Sequence, residues 1–241
     1  MSHPHIKAVI FDMDGLMLDS ERIYTIVTNE VIRPYGKEMT MDIKAGLMGR
    51  PGEDAARYLI EALNLPLTVN EIMSSMEAGL EERFKRVAPM PGIIKLVKHL
   101  DRHGVPMCIA TGSKKRNFEI KSSHLGHLFD PFEGKVLCGD DPILKGKGKP
   151  DPTIFLEAAR IHLGITSAED RERVLVFEDG APGVRAAKAA GMPVVWVPDP
   201  QILATLGEDH GLGPTEQLET LEHFRPELYG LPPFDDQSAS L

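Results

Sequence analysis

Cysteine is scarce: Cys108 and Cys138 are the only two in 241 residues. Each lies beside or within a short apolar run, so two buried thiols in a reducing compartment are expected, not a disulfide or a metal pair. Long hydrophobic stretches are missing as well, and no segment approaches the ~18 uninterrupted apolar residues of a membrane span. The opening "MSHPHIK" leads toward a strand without the apolar core of a secretory leader. Together these absences make the cytoplasm the expected location. Basic charge is also in short supply. The 27 Lys and Arg against 36 Asp and Glu give a formal net charge of -9, which argues against general binding to nucleic acid or to an anionic membrane. Internal repeats and low-complexity tracts are not found, and no obligatory protein partner is implied.

What is present alternates. Four apolar runs, "IKAVIF" (Ile6–Phe11), "VPMCIA" (Val105–Ala110), "RVLVF" (Arg173–Phe177) and "PVVWV" (Pro193–Val197), are continuously hydrophobic, as strands buried on both faces of a parallel sheet are. "KVLC" (Lys135–Cys138) is a weaker fifth. Between them lie helical patterns. Ile93, Leu96, Val97 and Leu100 follow the i, i+3, i+4, i+7 spacing and Gly104 supplies a stop. "DPTIFLEAARIHLG" offers Asp151 as an N-cap and ends at Gly164, and "GVRAAKAAGM" stops at Gly191. Strand and helix in turn predict an α/β fold with a doubly wound, mostly parallel sheet.

One region breaks the alternation. From Glu21 to Val87 three or four helices are expected and no strand. The expected organisation is an α/β core over residues 1–18 and 90–241, with an inserted helical cap over 19–89. The cap methionines Met39, Met41, Met48, Met73 and Met76 are expected to pack its interior. The tail after Pro232 is expected to fray.

In open α/β sheets, sites lie beyond the carboxyl ends of the strands. Those ends deliver Asp12 and Asp14, then Thr111 and Ser113, then Glu178 and Asp179, with Lys149 from the loop "KGKGKPDP". Four carboxylates at one edge cannot all stay ionised without a cation. All-oxygen ligands point to Mg2+, which takes one or two carboxylates, keeps waters and accepts a substrate phosphate. One aspartate could then attack a phosphoryl group while the other moves protons to the leaving oxygen and from water.

The order of motifs resembles the haloacid dehalogenase superfamily, in its capped GS1-like group: "FDMDG" at Phe11–Gly15, "IATGS" at Ile109–Ser113, "GKPDP" at Gly148–Pro152 and "VFEDGAPGV" at Val176–Val184. "LMG" at Leu47–Gly49, "MPG" at Met90–Gly92 and "FRPELYGLP" at Phe224–Pro232 extend the resemblance over nearly the whole chain. It implies Asp12 as nucleophile and Asp14 as general acid and base. It also implies Thr111 and Lys149 on the phosphoryl group, where Ser113 from the same strand end is a further candidate substrate contact, and Mg2+ on Asp12, Asp14 (through its backbone carbonyl), Glu178 and Asp179. The implied substrate is a small phosphate ester: pseudouridine 5'-phosphate, another nucleotide, or a sugar or polyol phosphate. Gly112 departs from the pattern, since relatives often carry Ser there.

Bland readings stand beside several residues. Thr111 and Ser113 could serve as helix caps. Arg50 could touch substrate or form a surface ion pair. His99 and His103 are expected on a solvated face with no third metal ligand evident, and "GKGKP" lacks the Ser or Thr and the spacing of a phosphate-binding loop. A sugar phosphomutase of the same fold, with Arg50 and Lys114–Lys115 for a second phosphate, is the alternative reading; Tyr24 counts weakly against it. A non-catalytic binding protein is the more distant one.

Overall fold

β1 (Ala8–Phe11) alternates between two hydrophobic clusters although its sequence shows no alternation. Val9 and Phe11 enter one cluster, and Ala8 and Ile10 the other. The same division holds in β2 (Met107–Thr111) and β4 (Val174–Glu178). A strand covered on both faces has no polar side to display, which is why these runs read as continuously apolar.

The computed structural model describes residues 5–47, 52–206 and 211–235. β3 (Val136–Cys138), β5 (Val194–Trp196) and β6 (Glu216–Gln217) complete a six-stranded parallel sheet of order β3-β2-β1-β4-β5-β6. α5 (Ile93–Arg102) and α7 (Gly126–Phe129) pack on the face of Val9 and Phe11. α8 (Thr153–Leu163) and α10 (Ala181–Ala189) cover the opposite face. α6 (Lys115–Ser122), α9 (Ala168–Arg171) and α11 (Pro200–Leu206) are the other α-helices of this part among the described residues.

Between β1 and α5 the described residues are helical: α1 (Ser20–Ile32), α2 (Met41–Leu47), α3 (Gly52–Leu63) and α4 (Val69–Phe84). α4 opens with a reciprocal cap, Thr68 Oγ1 accepting from the Glu71 N–H and Glu71 Oε2 accepting from the Thr68 N–H. These helices share a separate cluster built on Ile32, Ala56, Leu59, Leu65 and Ile72, with Met39, Met73 and Met76 packed against it. Met48 lies outside the described residues. The helices meet the rest of the molecule where α2 packs on α11 and α4 on α6.

Several local expectations change. β6 has no hydrophobic run; it exists because Glu216 and Gln217 pair with Val195 and Trp196. Asp151 sits one step before the cap of α8, its carboxylate accepting from the Thr153 N–H. The segment after Pro232 is held rather than frayed as far as Asp235, with the Phe234 ring against His99. His99 is therefore buried, 1% exposed, whereas His103 remains exposed as expected.

Candidate active site

β1 and its neighbours are in register, Phe11 lying beside Ile109 on one side and Phe177 on the other. Residues just past those positions therefore emerge at one edge. Asp12 follows β1, Thr111 closes β2 and Glu178 closes β4. The chain then turns at Gly15, whose φ of +82° suits glycine and whose added Cβ would lie 2.0 Å from Asp179 Oδ2. Gly183, at the start of α10, meets the same constraint: a Cβ there would lie 1.8 Å from Glu178 Oε1.

The four carboxylates separate into three and one. Asp12, Glu178 and Asp179 are buried, with one oxygen of each within 4.8 Å of the others. Lys149 is the cation among them. Its Nζ bonds Asp12 Oδ1, lies 2.6 Å from Glu178 Oε1, and donates to the Ala110 carbonyl at 3.3 Å. Burial pushes the Asp12 carboxyl up to about 8, with Glu178 and Asp14 adding and Lys149 opposing. Asp179 is raised by burial and then by the charges of Glu178 and Asp12. Against its own desolvation, Lys149 is held protonated by Asp12 and Glu178. One ammonium among three carboxylates leaves the cluster short of positive charge, and an all-oxygen donor set of this kind fits a hard divalent cation.

The side chain of Asp14 turns away from that group. Its Oδ1 accepts from Ser20 Oγ at 2.6 Å and from Lys121 Nζ. Its Oδ2 accepts from Ser113 Oγ at 2.6 Å and from Thr111 Oγ1 at 3.4 Å. Burial alone would raise this carboxyl, but the Lys121 ammonium and the two serine hydroxyls hold it below the usual range. A place for the Asp14 side chain among the metal ligands is not what the geometry provides.

Lys121 escapes a reading of the sequence. It sits in α6 after Lys114, Lys115 and Arg116 and looks like one more solvated cation, yet it is fully buried. Its Nζ donates to Ser113 Oγ at 3.0 Å and to the Tyr24 hydroxyl at 3.5 Å, and lies 4.3 Å from the Phe84 ring centroid. Eight residues, about two helical turns, separate it from Ser113, but only the start of α6 makes that spacing meaningful. Glu21 is a second such residue. Burial and then the Asp14 charge push it up to about 7. Arg50 falls outside the described residues.

A model of the haloacid dehalogenase-like hydrolases matches residues 6–191. The chain belongs to this family. It is 40% identical to the (DL)-glycerol-3-phosphatase 2 of Arabidopsis thaliana over 97% of this chain and 95% of the relative. It is also 40% identical to a Drosophila melanogaster protein described as a probable pseudouridine-5'-phosphatase, over 94% of this chain and 95% of the relative. Among solved structures it resembles a haloacid dehalogenase family hydrolase from Deinococcus radiodurans with bound phosphate and sodium. That match has a TM-score of 0.74 and 25% identity over 95% of this chain and 99% of that one. In this haloacid dehalogenase-like hydrolase, then, the strand-end aspartates stand in two different electrostatic settings.

Proposed function

We propose that this hydrolase is a Mg2+-dependent phosphatase that removes phosphate from a small polar phosphomonoester through an aspartyl-phosphate on Asp12. The observation that carries the reading is the split of the strand-end carboxylates. Asp12 is grouped with Glu178, Asp179 and Lys149, while Asp14 is held two residues away by hydroxyls and a lysine of its own.

In the first step an Asp12 oxygen attacks phosphorus and the ester oxygen departs with a proton from Asp14. In the second, Asp14 takes a proton from the water that cleaves the acyl phosphate, and inorganic phosphate leaves. Lys149 and the Thr111 hydroxyl are assigned to the transferring oxygens. Ser113, a candidate substrate contact, is assigned first to Asp14, to which its hydroxyl already donates. Mg2+ on Asp12, Glu178, Asp179 and the Asp14 carbonyl would ionise Asp12 and neutralise charge on the phosphoryl group.

Residues 19–89 are assigned as the cap that admits substrate and then excludes bulk water, with Arg50 as one substrate contact. The names of the relatives favour a polyol or nucleotide monophosphate. Colorimetric phosphate release across glycerol, sugar and nucleoside monophosphates, with Mg2+ or with EDTA, tests the proposal. Release should require the metal, and Asp12→Asn should lower it by roughly 10^4-fold or more. Release that survives Asp12→Asn unchanged refutes the mechanism. An isomeric sugar phosphate in place of free phosphate identifies a mutase instead.

A further inference from the structure

α5 ends four residues before β2 begins at Met107, so its last turn lies at the amino edge of the sheet, opposite Asp12. There His99 and His103 share a helix face with Asp235 above them. His99 Nε2 lies 2.9 Å from the Pro232 carbonyl oxygen. A carbonyl only accepts, so this partner assigns the proton to Nε2 and leaves a lone pair on Nδ1. That Nδ1 is buried and has no hydrogen-bond partner among the described residues, which is costly for a polar atom shielded from water. His103 repeats the arrangement with the nitrogens exchanged. Its Nδ1 lies 2.9 Å from the His99 carbonyl oxygen, leaving the lone pair on Nε2, 3.8 Å from Asp235 Oδ1.

The carboxylate is anchored in the same way, its Oδ2 lying 3.0 Å from Arg102 Nη2. One ligating atom from each of the three side chains lies within 4.8 Å of the others. Each thus has one atom held by the protein and a second left over to offer as a ligand. Metal-binding histidines characteristically show this, the outer hydrogen bond fixing the tautomer and the ring.

We propose that His99, His103 and Asp235 form a site for Zn2+ or a similar borderline cation, which fastens the segment after Pro232 to α5. Two imidazoles and one carboxylate match the preferences of Zn2+ and leave a fourth position for water. Mg2+ and Ca2+ prefer oxygen alone, so the Asp12 cluster and this site sort cations by donor type. The Lys95 ammonium, 4.3 Å from the Phe234 ring centroid, helps hold the segment that presents Asp235.

The test uses the metal-stripped full chain with millimolar Mg2+ present throughout, so that the carboxylate cluster is competed. Zn2+ is titrated against a chromophoric chelator, and Co2+ binding is followed by its visible absorption. One Zn2+ per chain should bind, with a Co2+ spectrum of nitrogen-ligated, four-coordinate metal, and Zn2+ should raise Tm. His103→Gln and Asp235→Asn, both changes at partly exposed positions, should each weaken binding at least roughly 10-fold and abolish the rise in Tm. No Zn2+ bound in the presence of Mg2+, or binding that both variants leave unchanged, overturns the proposal. These readouts do not involve phosphate release, so they stand or fall apart from the phosphatase reading.

Discussion

Asp12 and Asp14 are the same residue type on the same strand end, and their surroundings drive them in opposite directions. Asp12 faces two further carboxylates and one lysine, and its proton is held up to about 8. Asp14 faces one lysine and hydroxyl donors, and its proton is released early. A pair of titratable groups pushed apart in this manner is a mark of divided acid and base duties. The directions are nevertheless the reverse of what the proposed roles need, since a nucleophile must be ionised and a general acid protonated. Under the proposed mechanism each would be corrected, one by the bound cation and the other by the substrate. A cation among Asp12, Glu178 and Asp179 favours the ionised nucleophile, and a phosphoryl dianion arriving near Asp14 favours its protonated form.

The largest expected effects set the two aspartates directly against each other. With p-nitrophenyl phosphate, whose leaving group needs no proton, Asp14→Asn should release about one equivalent of nitrophenol per chain quickly. Steady turnover should then fall by roughly 10^2 to 10^4-fold. Asp12→Asn should show neither burst nor turnover in the same stopped-flow trace. If Asp14→Asn turns over at the rate of the unmodified chain, the division between the two residues is wrong.

A smaller effect is expected one layer out. Lys121→Met makes Asp14 easier to protonate but removes the hydrogen bond that aims its carboxyl, and leaves the Asp12 group intact. The kcat for an alkyl ester such as glycerol phosphate should drop roughly 10-fold, with KM little changed and the p-nitrophenyl ester less affected. Equal losses on both esters would show Lys121 to be merely structural.

The smallest effect concerns Glu21, which feels both groups. Its carboxyl moves from 4.5 to about 7 on folding, so the folded state holds the proton more tightly. The stability it contributes is complete below about pH 4.5 and is lost as pH rises through about 7. Glutamine cannot ionise. Urea melts of the EDTA-treated Glu21→Gln chain should match those of the parent near pH 4 and exceed them at pH 8 by about 1 kcal/mol, part of the repulsion being screened by water at this half-buried position. Parallel curves at both pH values would remove Glu21 from the cluster.

Much of this arrangement is legible in the residues. The runs that became β1, β2, β4 and β5 announce themselves because burial on two faces leaves no polar position, and residues at strand ends inherit the site from topology. Lys121 is illegible for the converse reason. A lysine near a helix end usually extends into water, and only the packing of α1 and α4 over α6 makes this one interior. The segment from Phe224 to Asp235 is hidden by irregularity, since Phe224, Tyr229 and Leu231 enter the core from short turns that carry no period. The stretch from Gly15 to Ser20 carries no regular period either, yet Leu16, Met17 and Leu18 are buried and the Met17 carbonyl accepts from the Met90 N–H.

Burial of Lys121 beneath Tyr24 and Phe84 ties two helices of the inserted segment to one proton-carrying side chain. Any displacement of α1 and α4 that wets the ammonium weakens its attraction for Asp14, because the pair then interacts through a higher effective dielectric. Linkage makes the relation reciprocal: whatever frees Asp14 from Lys121 changes the preference of the helices for their docked position by the same free energy. The helical layer and the protonation of a single carboxylate are therefore one equilibrium observed from two sides, and a substrate that alters one has acted on the other.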